Sequence, residues 1–228
     1  MKILAIDTAS IGCSACIYDR QGGVLAQRYI EISRGQAEHL MPIINDVIKE
    51  SACDYAELDA LAVTIGPGAF TGIRIGLSTA KAIGMVIDKP VIGVPSFQAF
   101  LETYLNQNIE REYSGYCVAI DTKRKDYYVQ CYDASFNPDG EPIINTFEVL
   151  EGYIKEGDVA LISDNMNEMQ EFPPNVYHIK SPEIRCIAKH AVTRLENFPD
   201  DASYNNPKPI YMRQPEIGVP KKPFRVME

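Results

Sequence analysis

The chain has 228 residues, 46% of them apolar and 23% charged, which excludes a disordered or collagen-like polymer and suffices for one sizeable core or two small ones. Its net charge of −9 excludes a broad basic footprint of the kind that holds nucleic acid unaided.

The opening "MKILAI" resembles a signal peptide, but Asp7 interrupts the apolar run too early for one. No stretch reads as long enough for a membrane span, so a cytoplasmic protein without membrane contact is expected. Cys13-x-x-Cys16 lies in "GCSACIYD", a strand pattern in which residues three apart point to opposite faces. With no second cysteine pair and no histidine pair to complete a tetrahedral site, the thiols are expected to be buried and reduced.

Ser33 to Ser51 follows with Ala37, Leu40, Met41, Ile44, Val47 and Ile48 at helical spacing. Ser33 and Gln36 have the spacing of a capping box, and Pro42 kinks the rod unless the helix starts late. "LDALAVTIG" (Leu58 to Gly66) reads as a buried strand, and Pro90 to Val94 as another. Between them lies "GPGAFTGIRIGLSTAKAIG", a glycine–proline turn running into a helix, with Thr71 placed to cap it. It matches neither G-x-x-x-x-G-K-[ST] nor G-x-G-x-x-G, so it is no phosphate loop of those kinds. Gly72, Gly76, Ala80 and Gly84 recur every four residues, which makes one stripe of small side chains down a single helix face. Each interior glycine costs about 1 kcal/mol relative to alanine, so the stripe needs a compensating close approach, either to the chain's own sheet or to another subunit, with Ile73, Leu77 and Ile83 beside the seam.

The second half repeats the first. "ILAIDTASIGCSACIYD" (Ile3 to Asp19) overlies "CVAIDTKRKDYYVQCYD" (Cys117 to Asp133) without a gap, at an offset of 114 residues, half the chain length of 228. Two lobes follow, each opening with the same β-hairpin: residues 1–107 as an N-terminal lobe and 108–228 as a C-terminal lobe with an extended tail from Pro207. "DVALIS" (Asp158 to Ser163) is a further strand, and Glu183 to Glu196 a helix. Strand–helix alternation after a hairpin implies α/β lobes with mixed sheets.

The residues carry a family resemblance. "ILAIDTAS", "GPGAFTGIRIGLSTAKAIG" and "PIYMR" (Pro209 to Arg213) are similar to motifs of the TsaB (YeaZ) family, whose members are partner subunits in bacterial threonylcarbamoyl-adenosine modification of tRNA. The resemblance implies a two-lobed actin/Hsp70-like (ASKHA) fold. It implies that catalysis belongs to a metal-bearing paralogue, TsaD, on which the chain docks with its first two helices through Leu40, Ile44, Gly72, Ile73, Gly76, Leu77, Ala80 and Gly84. It further implies a TsaE-like ATPase in the assembly, tRNA held only indirectly, and a homodimer through the same helices when the paralogue is absent. ATP or ADP with magnesium is expected, if at all, at the interface of the complex. Three positions depart from the family pattern: Ala69 for serine, Gln36 for histidine, and Ser163 where a glycine turn is usual.

The chemistry of the residues favours a partner over an enzyme. His39, His178 and His190 never fall one helical turn apart, so no metal pair is expected, and no G-x-S-x-G supports a peptidase. A small-molecule kinase or ATPase of the same architecture is the rival reading. Its phosphate turn wants Asp-x-Gly, which neither Asp7-Thr8-Ala9-Ser10 nor Asp121-Thr122-Lys123-Arg124 supplies. Asp7, Thr8, Ser10 and Asp121 are therefore either a weak nucleotide site or acids that hydrogen-bond their own turns.

Overall fold

A computed structural model describes residues 1–107, 109–165, 167–169 and 171–213. The first half contains β1 (Lys2–Asp7), β2 (Cys13–Asp19), β3 (Gly23–Ile30), α1 (Gln36–Glu50), β4 (Ala60–Thr64), α2 (Phe70–Ile87), β5 (Val91–Val94) and α3 (Ser96–Leu105). The second contains β6 (Gly115–Asp121), β7 (Asp126–Asp133), β8 (Pro138–Thr146), α4 (Phe147–Glu156), β9 (Val159–Ser163), β10 (Val176–His178) and α5 (Ile184–Asn197).

Each half folds as a three-strand meander extended by two parallel strands. The sheet orders are β3-β2-β1-β4-β5 and β10-β9-β6-β7-β8, one topology used twice, and this is the expected two-lobed actin/Hsp70-like arrangement. The repeat is less regular than its ungapped overlay suggests. Ile3 pairs with Tyr18, whereas Cys117 pairs with Cys131, because the second hairpin turn is one residue tighter. That turn places Lys123 and Lys125 at positive φ, 64° and 67°.

Alternation divides the first sheet between two cores. Leu4, Ile6, Cys13, Ala15, Leu61 and Val63 face α1 and α2, while Ile3, Ala5, Cys16, Ala60 and Ala62 face α5. Cys13 and Cys16 therefore sit on opposite faces, both buried as free thiols. Cys117 and Cys131 differ from the expected reduced state: they stand directly opposite across β6 and β7, Cα atoms 4.1 Å apart, and form a disulfide.

The division at 107/108 separates the sheets but not the helices that cover them. Phe97, Phe100, Leu101 and Tyr104 of α3 pack on the second sheet, and Ile184, Ile187, Ala188, Ala191 and Val192 of α5 pack on the first. The lobes are thus laced together by an exchange of helices.

Local details correct three readings. Helix α1 begins at Gln36 behind Gly35, which has φ 88° and no side-chain cap, so Ser33 and Gln36 form no capping box. Thr71 lies inside α2, whose N-cap is Ala69 without a side-chain bond. The start of the tail is anchored, with Pro207 buried and the Ile210 amide donating to the Ile65 carbonyl at 2.8 Å. The rest of the proline-rich tail, 214–228, lies outside the described residues.

Candidate functional site

The glycine–proline turn sits where the first hairpin, α2 and the tail converge. Gly66 and Gly68 have φ of 97° and 156°, and a β-carbon on Gly68 would lie 2.5 Å from the Ala9 carbonyl oxygen. The Ala69 amide donates to that same oxygen at 2.8 Å. One turn on, a β-carbon at Gly72 would overlap the Thr8 carbonyl oxygen, and the Thr8 hydroxyl donates to the Gly72 carbonyl at 2.6 Å. Substituent carbons on Gly76 and Gly84 would lie 2.5 Å from Thr8 Oγ1 and 2.6 Å from Val91.

The small-residue stripe is therefore the seam between α2 and its own sheet. Gly72, Ile73, Gly76, Leu77, Ala80 and Gly84 are all buried, as are Leu40 and Ile44 of α1, so this set, expected to meet a second subunit, faces inward. The physical reason is the tightness of the approach: α2 lies so close to the hairpin that only hydrogen fits between them.

The opposite side of α2 remains open. Residues two positions along a helix differ by about 200°, so Arg74, Ser78, Ala82 and Val86 lie opposite the stripe. Val86 and Met85 are 84% and 83% exposed, and Met41 of α1 is 41% exposed. These outward apolar residues were passed over in the sequence because the glycines dominate the pattern. By length and mean hydropathy alone α2 reaches the minimum for a span, a test that a packed core helix also passes. The glycine face of α2 is occupied by the sheet.

The paired aspartates behave alike. Asp7 Oδ1 accepts from the Ala9 amide at 2.9 Å and the Thr64 hydroxyl at 2.5 Å. Asp121 Oδ1 accepts from the Lys123 amide at 2.7 Å, and its Oδ2 from Asn165 Nδ2 at 2.6 Å and Lys123 Nζ at 2.9 Å. Thr64 and Asn165 occupy corresponding places, at the end of β4 and just past β9. Each acid thus closes its own turn and ties it to the neighbouring parallel strand.

Between the lobes lies a cavity of about 360 Å³ lined by Ser10, Gln36, Gly68, Asp121, Lys123 and Asp164, among others. Asp164 Oδ1 accepts from the Asp121 amide at 2.8 Å. Burial pushes the Asp164 carboxyl up to about 6. Burial also works to raise Asp121, but hydrogen bonds from Lys123 and Asn165 outweigh it and hold that carboxyl below its ordinary value. These residues fit a metal-bound nucleotide poorly: Asp7 is occupied by its own turn, Asp121 by Lys123 and Asn165, and the glycine a phosphate turn needs is missing. Among the described residues, no three His, Cys, Asp or Glu side chains gather closely enough to hold a metal ion.

Comparison with known proteins agrees with this architecture. The family model described as TsaD, tRNA N6-adenosine threonylcarbamoyltransferase, matches residues 12–152. The chain belongs to this family, on its TsaB (YeaZ) side. The tRNA threonylcarbamoyladenosine biosynthesis protein TsaB of Escherichia coli is 31% identical over 47% of this chain, and that match spans 46% of the relative, about half its length. The Haemophilus influenzae TsaB is 27% identical over 99% of this chain and 98% of its own. YeaZ from Pseudomonas aeruginosa superposes with a TM-score of 0.75, at 21% identity, covering 92% of this chain and 99% of that one. The TsaB side of the family thus shares the two-lobed fold.

Proposed function

We propose that the chain is a non-catalytic subunit in the formation of threonylcarbamoyl-adenosine on tRNA, docking on and activating a TsaD-like paralogue. A role in this tRNA modification follows from the TsaB relatives. The observation that carries the subunit reading is the outward face of α2, where Met85 and Val86 stand 83% and 84% exposed on a helix whose other face is already packed. An apolar helix face presented to solvent marks an interaction surface, and Ser78 and Ala82 beside it are small enough for a partner helix to approach closely. The closed aspartate turns support a role without phosphate chemistry of its own. Adenine nucleotide with magnesium, a TsaE-like ATPase and a homodimer through the same face belong to this reading.

Val86→Asp tests it. The variant should keep its melting temperature, since the side chain is exposed, but lose co-elution with the paralogue on a sizing column. In the host it should lower threonylcarbamoyl-adenosine in bulk tRNA, read by nucleoside mass spectrometry. Undiminished co-elution and modification would overturn the reading.

A further inference from the structure

The Cys117–Cys131 disulfide joins two residues in unlike surroundings. Cys117 is 2% exposed, on the central strand β6 between β7 and β9, whereas Cys131 on β7 is only partly buried. The difference comes from the β7–β8 ladder. Val129 pairs with Ile143 but Cys131 pairs with Asp139, so Gly140, Glu141 and Pro142 bulge out of β8 opposite the single residue Gln130. Gly140 takes up the bend at φ 75°, and its carbonyl accepts from the Gln130 side-chain amide at 3.1 Å. A bulge of this kind interrupts the ladder and re-aims the side chains beside it. Next to it lies a cavity of about 350 Å³ whose lining includes both cysteines, Asp133, Asp139, Glu141 and Tyr153. Among the described residues, no basic side chain lines it.

We propose that Cys131 is a site of reversible thiolation by a small thiol that carries no net negative charge. A thiolate entering the cavity attacks Cys131 Sγ. A new sulfur–sulfur bond forms there, the Cys117–Cys131 bond breaks, and Cys117 Sγ leaves with the electron pair and takes a proton from solvent. In the reverse step the Cys117 thiolate attacks Cys131 Sγ, re-forms the disulfide and expels the small thiol, so no further oxidant or reductant is consumed. Attack falls on Cys131 rather than Cys117 because exchange needs access to the sulfur attacked. The carboxylates of Asp133, Asp139 and Glu141 set the class of thiol: they raise the local concentration of a cationic reagent and repel an anionic one. Cys13, Cys16, Cys53 and Cys186 are buried free thiols, and none of them lines this cavity.

The first test is alkylation of the full chain, purified in air without reductant and then denatured. Cys13, Cys16, Cys53 and Cys186 should be alkylated and Cys117 and Cys131 recovered as a joined peptide pair; alkylation of all six cysteines would overturn the proposal. The folded protein is then exposed to cysteamine, a cationic thiol, or mercaptoacetate, an anionic one, quenched with acid and read by peptide mass spectrometry. Cysteamine should appear on Cys131 with Cys117 free. Its rate, divided by its rate on a neutral model disulfide, should exceed that of mercaptoacetate about tenfold at low ionic strength, the gap narrowing in about 0.5 M salt. Adducts on Cys117 instead, none under native conditions, or equal normalised rates would each defeat the inference. Glu141→Gln, at an exposed position, should keep the melting temperature and reduce the preference about twofold, one carboxylate's share of the field. An unchanged preference would mean that this cavity is not the route to the sulfur. Where a cysteine is removed, cystamine should load Cys131 in Cys117→Ser and leave Cys117 unmodified in folded Cys131→Ser; equal loading of the two would overturn the assignment to Cys131.

Discussion

The two hairpin turns start from the same Ala-Ile-Asp-Thr and end in different surroundings. In the first, Asp7 and Thr8 are 5% and 1% exposed, pinned beneath Gly68 and Gly72. In the second, the Asp121 side chain is 9% exposed but Lys123 beside it is 73% exposed, and the turn lies open to the interlobe cavity. Both acids hold their turns by the same two kinds of bond, one from the backbone two residues on and one from the end of the next parallel strand. What differs is the covering. The glycine–proline turn and the first turns of α2, through Gly68, Gly72 and Gly76, press on the first turn, whereas charged side chains surround the second. The motif therefore encodes a way of closing a turn, and its neighbours decide whether that turn is a core element or the wall of a cavity.

The largest expected effect breaks the covering of the first turn. Gly72→Ala puts a β-carbon into the Thr8 carbonyl, a backbone atom that moves only if β1 or α2 moves, and it disturbs the bond from the Thr8 hydroxyl. Overpacking against backbone should cost about 3 kcal/mol or more, lowering Tm by roughly 6–12 °C in a chain of this size. Thermal denaturation of the purified variant checks this. A Tm within 2 °C or so of wild type would mean that the seam is looser than the structure has it.

The second turn is sharpened by pH. Asp164, which accepts from the Asp121 amide, has a carboxyl raised by burial to about 6 from an ordinary 3.8. The folded state therefore binds this proton more tightly than the unfolded chain. The stability it contributes is complete below about pH 4 and is lost as pH rises through 6. Asp164→Asn imitates the protonated acid and keeps an oxygen for the Asp121 amide. It should match wild type near pH 4 and exceed it at pH 7.5 by about 2 kcal/mol. Equal pH dependence of Tm in the two proteins would remove Asp164 as the cause. Asp121 works the other way: its depressed carboxyl stabilises the fold at neutral pH, and that contribution is lost as pH falls through its folded value.

The architecture was legible in the sequence because it is written in local signals. The half-length repeat gave two lobes, and alternation placed Cys13 and Cys16 on opposite faces. The glycine period identified a close-packed seam. The direction of that seam was not legible, since a small-residue stripe looks the same whether sheet or subunit lies against it. Only the position of Thr8 above Gly72 and Gly76 decides it. Thr64, Asn165 and Asp164 were missed for a related reason. They reach the hairpins from strand ends 43 to 57 residues away, a distance over which sequence pattern carries no partner information. The Cys117–Cys131 bond follows from a one-residue slip in register, which the ungapped repeat concealed.

The smallest effect separates glycine as a residue from glycine as a spacer. Helix α4 contains Gly152, where an added β-carbon meets nothing within 4 Å, in contrast to Gly72, Gly76 and Gly84 of α2. Both helices bear the same intrinsic cost of an interior glycine, but only α2 gains a close approach for it. Gly152→Ala should therefore stabilise the protein by about 0.5–1 kcal/mol through the smaller entropy of the unfolded chain, raising Tm by roughly 1–4 °C. Set beside Gly72→Ala, the same substitution changes sign between the lobes. A destabilised Gly152→Ala would mean that a partner approaches α4 as closely as the hairpin approaches α2, and the search for a second interface would then move to the C-terminal lobe.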